Sequence, residues 1–193
     1  MNNAQPSAGQ GPDDARVKAI AARIDRPLVL VGMMGVGKST IGRKLAQMLS
    51  LPFHDADDAI VEAAQMEIAE IFDQFGEAYF RDGERRVIAR LLDGGKSVIA
   101  TGGGAFVQDE TREAIRKKAL TIWLDSDVDT LVERVSRNDK RPLLRGGNVR
   151  EKVEAMKAER EPFYSQAQIH VMSDAGPHGA AVNRILEALE KCL

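Results

Sequence analysis

Eight residues near the start of the chain, Gly32-Met33-Met34-Gly35-Val36-Gly37-Lys38-Ser39, have the types and spacing to hold a polyphosphate. They fit G-x-x-x-x-G-K-[ST], and each position has a physical reason. Glycines let the backbone turn tightly and aim several N–H groups at one concavity, which suits phosphate oxygens. Lys38 brings a point charge to the β- and γ-phosphates, and the Ser39 hydroxyl is a ligand for Mg²⁺. The apolar run Leu28–Val31 precedes the loop, and Ile41, Leu45, Met48 and Leu49 follow it at helical spacing. That strand–loop–helix setting separates the motif from a glycine-rich turn with an accidental Lys-Ser. The helix also turns the positive end of its dipole toward the loop. The implied ligand is a nucleoside triphosphate, held over Gly35, Val36, Gly37, Lys38, Ser39 and Thr40.

Acidic and basic side chains elsewhere bear on the same chemistry. Asp55 and Asp57 follow the strand candidate Leu51–His54, in the run Asp55-Ala56-Asp57-Asp58. Asp58 there suits the cap of the next helix. Asp55 and Asp57 suit a metal and an attacking hydroxyl, both of which need a carboxylate at a strand end facing the phosphate loop. A metal-side carboxylate commonly ends a hydrophobic strand. Ser97–Thr101 ends in no acid, whereas Thr121–Leu124 runs into Asp125, which therefore rivals Asp55. Arg160 lies in the apolar stripe of its own helix, between Met156 and Phe163, so it points inward or into a cleft. A charge there is costly unless it meets an anionic ligand or a buried carboxylate. Arg81 follows Tyr79-Phe80 and is spaced to pair with Glu77 at i,i+4, a bland surface role. Arg137, Lys140, Arg141, Arg145 and Arg150 crowd a stretch with neither helical nor strand periodicity. Beside a phosphate loop, 137–148 reads as a mobile basic lid rather than an ordinary solvated loop.

The elements that must position these residues alternate. Strands are expected at 28–31, 51–54, 97–100, 120–124 and 169–172. Helical patterns fall after the phosphate loop, over 59–75 and 77–92, over 110–118, around Val128–Val135, around Val153–Phe163 and around Val182–Leu189. Asp93-Gly94-Gly95 breaks the second pattern of the 59–92 pair. Alternation of this kind implies a parallel sheet covered on both faces, with ligands at the carboxyl ends of the strands. The loops 32–39, 55–58, 101–104 and the one after Leu124 then lie together. The chain has 193 residues, a size for one domain with a real core. Residues 1–26 are expected to be an extension, disordered at first because 1–14 hold no large apolar residue after Met1, then a short helix at Val17, Ile20 and Ile24. Hydrophobic residues make up 44% and the net charge is −2, so no strong field draws the chain to nucleic acid or anionic membrane. The single cysteine, Cys192, leaves no disulfide framework or cysteine metal site. No apolar run reaches membrane-span length and no signal pattern opens the chain, so the expected location is the cytoplasm.

Taken together, the constellation resembles the shikimate kinases from about Pro27 onward. The residues that carry the resemblance are Gly-Met-Met-Gly-Val-Gly-Lys-Ser at 32–39, Asp-Ala-Asp at 55–57, Gly-Glu-Ala-Tyr-Phe-Arg at 76–81, Thr-Gly-Gly-Gly at 101–104, Arg-Pro-Leu-Leu at 141–144 and Arg160 before Pro162-Phe163-Tyr164. The resemblance implies a P-loop kinase fold of three layers, α/β/α, with a five-stranded parallel sheet of order 2-3-1-4-5 and a mobile lid. It implies phosphorylation of the 3-hydroxyl of shikimate by ATP with Mg²⁺, on the route to chorismate. Position by position, Asp57 would hold the reacting hydroxyl, and Arg81 and Arg160 would clamp the carboxylate. Gly102, Gly103 and Gly104 would line the substrate, the last two offering N–H groups. Asp55 would assist the metal alongside Ser39, and Arg141 would join Lys38 on the phosphates. Arg134 matches the adenine-side arginine and Pro177 falls, loosely, near the adenine loop. Thr-Gly-Gly-Gly stands where an acid-ended strand motif is usual, which lowers Asp125 as the metal-side residue. The expected partners are ATP and shikimate only, with no nucleic acid and no membrane, and the expected state is a monomer.

Two other classes share parts of the pattern. A gluconate-type sugar-acid kinase has the phosphate loop without the combined Asp-x-Asp, Gly-Glu-x-x-Phe-Arg and triple-glycine set. A GTP-driven switch would use Asp73-Gln-Phe-Gly76 as its D-x-x-G, yet that string sits inside a helical pattern and no Asn-Lys-x-Asp guanine reader is present.

Overall fold

The computed structural model describes residues 14–136, 148–173 and 178–193. Arg137, Lys140, Arg141, Arg145 and Pro177 lie outside the described residues, as does the expected lid apart from Asn148.

The sheet grows outward from β1 (Leu28–Val31), whose four aliphatic side chains are all buried. Such a run, without alternation, is what a strand covered on both faces requires. β3 (Val98–Ala100) and β4 (Leu120–Asp125) flank it in parallel, with Leu28 opposite both Val98 and Leu120. β2 (Phe53–Asp55) and β5 (Ile169–Met172) complete a five-stranded parallel sheet of order β2-β3-β1-β4-β5. The edge strand β5 alternates buried and exposed residues, as one-sided cover demands.

Helices connect these strands: α1 (Asp14–Arg23), α2 (Lys38–Leu49), α3 (Ala56–Ala64), α4 (Ile68–Asp93), α5 (Asp109–Lys118), α6 (Val128–Ser136), α7 (Val149–Tyr164) and α8 (His178–Cys192). A 3₁₀ turn at Ala105–Val107 precedes α5. α1, α2 and α8 pack on one another, as do α4 with α5 and α6 with α7. The main core runs through β1, Ile41, Leu45, Ile99, Ile122, Ile185 and Leu189. A second, smaller cluster of Ile60, Ile71, Phe80 and Val87 joins α3 to α4. Among the described residues no helix is long and apolar enough to cross a membrane.

The structure departs from the sequence expectation between β2 and β3. The helix expected over 59–75 begins at Ala56 and stops at Gln65, which takes a left-handed conformation at φ 51°. A capping box then restarts the chain, Glu67 N–H donating to Glu70 Oε2 at 3.0 Å while the Glu67 side chain accepts from the backbone of Glu70. The break expected between Phe75 and Glu77 is a kink inside α4, where Gly76 adopts φ 79° and ψ 176°. Asp58 does not cap α3. Asp55 does, its Oδ1 accepting from Asp57 N–H at 3.1 Å, while Asp58 is exposed and 3.7 Å from Arg43. The cap must stand immediately before the first helical turn, and Asp58 lies inside that turn.

One contact fixes how close α2 lies to the sheet. A Cβ on Gly42 would fall 2.6 Å from Cε2 of Phe53 and 3.1 Å from Cδ1 of Leu30. Leu30 is fully buried, so the strand side cannot give way. Gly42→Val gains a little helix propensity but overfills this contact, and the second effect is larger. Urea denaturation is expected to show a loss of about 3 kcal/mol.

Candidate active site

Parallel strands send their carboxyl ends to one edge, and the loops after β1, β2 and β3 meet there. The loop after β1 is locked by close backbone approach. Gly32, at φ 136°, passes so near β4 that a Cβ would lie 2.2 Å from the carbonyl oxygen of Leu124. Gly35 and Gly37 are also left-handed, at φ 82° and 96°. Gly37 stands at the N-cap of α2 and offers no capping side chain, leaving first-turn N–H groups of that helix for an anion. Lys38 is buried and folds back over the loop, its Nζ donating to the carbonyls of Gly32 at 2.8 Å and Met33 at 2.9 Å. The Val36 carbonyl accepts from Arg134 Nη1 at 3.1 Å and from Ser173 Oγ at 3.2 Å, so Arg134 lies against the phosphate loop. Thr40 is exposed in the first turn of α2.

The loop after β2 is bonded to this one. Ser39 Oγ donates to Asp55 Oδ2 at 2.5 Å. A hydroxyl and a carboxylate side by side are hard oxygen donors, the set a Mg²⁺ ion takes when phosphate and water supply the rest. Asp125 is elsewhere engaged. Its Oδ1 accepts from Lys157 Nζ at 2.6 Å and Ser126 N–H at 2.8 Å, and its Oδ2 lies 3.4 Å from His170 Nε2. Of the two rivals, Asp55 is the one at Ser39. The strand-end rule brought Asp125 forward; Lys157 on α7 is the partner that sequence did not reveal.

The loop after β3 is crowded by charge. A Cβ on Gly102 would lie 2.9 Å from Glu84 Oε1 and 3.0 Å from Asp57 Oδ1. On Gly103 it would meet Arg160 Nη1 at 3.4 Å and Met34 N at 3.3 Å; on Gly104 it would meet the Arg81 guanidinium at 2.6–2.9 Å. Asp57, Arg81 and Arg160, from α3, α4 and α7, thus converge on Gly102–Gly104 beside the phosphate loop. Arg150 does not join them. It stands in the first turn of α7, paired with Asp129 and with Glu154 at 3.5 Å, so it belongs to a helix surface rather than to the irregular basic stretch.

Arg81 makes the pair that its spacing allowed and a second one that the sequence reading did not name. It pairs with exposed Glu77 at 3.2 Å, and its Nη1 also donates to Glu84 Oε2 at 2.7 Å. Burial works against its charge, but Glu84 and Glu77 outweigh this and hold its pKa above the ordinary arginine value. Glu84 is the residue the sequence reading missed. Its side chain is 2% exposed, and among the described residues its Oε1 has no hydrogen-bond partner. Burial raises its pKa, Arg81 opposes the rise, and Asp57 and Glu77 add repulsion. The only available signal was its i,i+3 spacing from Arg81, which does not by itself distinguish a buried carboxylate from a surface one.

A five-stranded parallel sheet in this order, with a phosphate loop after β1 and helices on both faces, defines a P-loop kinase fold. The sequence profile of shikimate kinase matches residues 34–190. A shikimate kinase of Novosphingobium aromaticivorans is 57% identical over 93% of this chain and 95% of its own. The structure of a shikimate kinase from Acinetobacter baumannii in complex with shikimate superposes at a TM-score of 0.85, covering 91% of this chain and 98% of that one at 32% identity. A gluconokinase from Sinorhizobium meliloti matches at a TM-score of 0.57 and 16% identity, a likeness of fold alone. The chain belongs to the shikimate kinase family, and it is an enzyme.

Glu84 gives the site a pH signature. Its folded pKa is raised above the ordinary 4.5, so the folded state binds this proton more tightly than the unfolded state. Its contribution to stability is fully present below that ordinary value and is lost as pH rises through the raised one. Glu84→Gln removes the titration. The stability of wild type minus that of Glu84→Gln, from urea midpoints across pH, is expected to fall as pH rises from about 4.5. A difference independent of pH would contradict the assignment.

Proposed function

We propose that the chain transfers the terminal phosphoryl group of ATP to the 3-hydroxyl of shikimate, giving shikimate 3-phosphate and ADP. The observation that carries this reading is the convergence of Asp57, Arg81 and Arg160 on three glycines that abut the phosphate loop. One carboxylate and two guanidinium groups suit an acceptor that presents a hydroxyl and a carboxylate together. Arg81 and Arg160 bind the acceptor's carboxylate, with the planar geometry that favours paired hydrogen bonds. Asp57 orients the hydroxyl and takes its proton. Lys38 exchanges its two carbonyl partners for the β- and γ-phosphates. By the family resemblance Arg141 would add charge to the phosphates, and Arg134 and Pro177 would serve the adenine. Ser39 and Asp55 would hold the Mg²⁺, which would supply charge neutralisation. Phosphoryl transfer passes through a loose transition state, so alignment and neutralisation do most of the work.

ADP release in a coupled assay tests the reaction: shikimate is expected to drive turnover and gluconate is not. Asp57→Asn keeps the shape but removes the charge, and kcat is expected to fall by about 10²–10⁴ with ATP binding spared. Asp55→Asn is expected to raise the Mg²⁺ requirement instead, and Asp125→Asn, tied to Lys157, to do neither. Rescue of Asp57→Asn by excess Mg²⁺ would reverse the two roles.

A further inference from the structure

Tyr164 has no part in the reading above, yet its hydroxyl lies inside the acceptor site. It is 1% exposed at the end of α7, tilted against Trp123 with ring centroids 6.1 Å apart. Phenylalanine would fill that volume equally well, and a buried hydroxyl is a liability unless bonded. This one donates to the Gly103 carbonyl at 2.5 Å. Arg160, one turn earlier on α7, brings its charge to the same hydroxyl. A carbonyl only accepts, so the single proton of the phenol is committed to Gly103.

We propose that Tyr164 is a positioning residue for the acceptor site, its hydroxyl tying the end of α7, and with it Arg160, to the Gly103 carbonyl and so to the phosphate loop. The inference rests on the carboxylate-binding role of Arg160. Gly103 is the connecting point, because a Cβ there would lie 3.4 Å from Arg160 Nη1 and 3.3 Å from Met34 N. The end of α7 also needs restraint. Pro162 sits inside its last turns and cannot donate to the carbonyl of Ala158, so this stretch lacks a helical bond that Tyr164 replaces with a tertiary one. Burial pushes the Tyr164 pKa up to about 12, with Arg160 and Arg81 opposing, so the phenol keeps its proton throughout the neutral range.

Tyr164→Phe removes only the oxygen. Steady-state kinetics are expected to show the shikimate KM raised about tenfold, the upper end for one buried hydrogen bond, with the ATP KM within about twofold. Calorimetric titration with shikimate alone should show the same loss in Kd. In an Arg160→Ala background, adding Tyr164→Phe should change the shikimate KM by less than about twofold, since the group being positioned is gone. An unchanged shikimate KM in Tyr164→Phe, an equal rise in both KM values, or a full tenfold effect persisting without Arg160 would each overturn the inference. A lowered Tm with both KM values unchanged would also overturn it, by reducing Tyr164 to a packing residue. Failure of the wild-type chain to phosphorylate shikimate would instead overturn the reaction on which the inference rests.

Discussion

Three successive glycines after β3 lack side chains because charge already fills the space. Asp57 and Glu84 crowd Gly102, Arg160 stands at Gly103, and the Arg81 guanidinium occupies the position a Cβ on Gly104 would need. Four charged groups from three helices reach one loop only because nothing projects from it. The same absence lets Gly103 press against Met34 in the phosphate loop. On the proposed function, the acceptor side and the phosphate side would therefore share a wall of bare backbone. A side chain anywhere along it would push the two apart, and reactions that depend on alignment lose rate steeply with such displacement.

A second joint lies at Asp55, the residue proposed for the metal. Asp55 uses one oxygen to cap α3 and the other to accept from Ser39 in α2. Capping ties the carboxylate's orientation to the helix that carries Asp57, so the two acidic residues cannot drift independently. Behind this joint, Gly42 brings α2 against Phe53 of β2, the strand that ends in Asp55, and sets the spacing across which Ser39 must reach.

Much of this was legible in the sequence, and the boundary of legibility is physical. The parallel sheet and the phosphate loop followed from aliphatic runs and a motif whose every position has a local cause, while the strand order came from the resemblance to the shikimate kinases. Asp55, Asp57 and Arg160 were legible because a strand end and an apolar stripe are positions where charge needs a reason. Glu84 was not, since the residues packed around it, Asp57 and Gly102 among them, come from distant parts of the chain that no local pattern announces. Asp125 misled for a related reason. Its place at a strand end is real, but its partners Lys157 and His170 arrive from elements separated from it by more than a helix. The gap between α3 and α4 was hidden because Gln65 and Met66 do not punctuate as Gly or Pro would.

Arg81 shows why a bland reading and a functional one need not compete. Its pair with Glu77 is solvent-facing, Glu77 being 65% exposed, and such pairs contribute about 0–1 kcal/mol. Its bond to Glu84 is of another kind, because removing one partner of a buried pair strands the other charge. The two carboxylates therefore differ in how readily they release the guanidinium. On the role proposed for Arg81, a ligand carboxylate would displace Glu77 at small cost, while Glu84 would keep the guanidinium against Gly104. The orphaned Oε1 of Glu84 fits the same logic. A carboxylate satisfied at both oxygens would hold its partner as part of the core, whereas one satisfied at a single oxygen, and repelled by Asp57, needs Arg81 to stay charged and close.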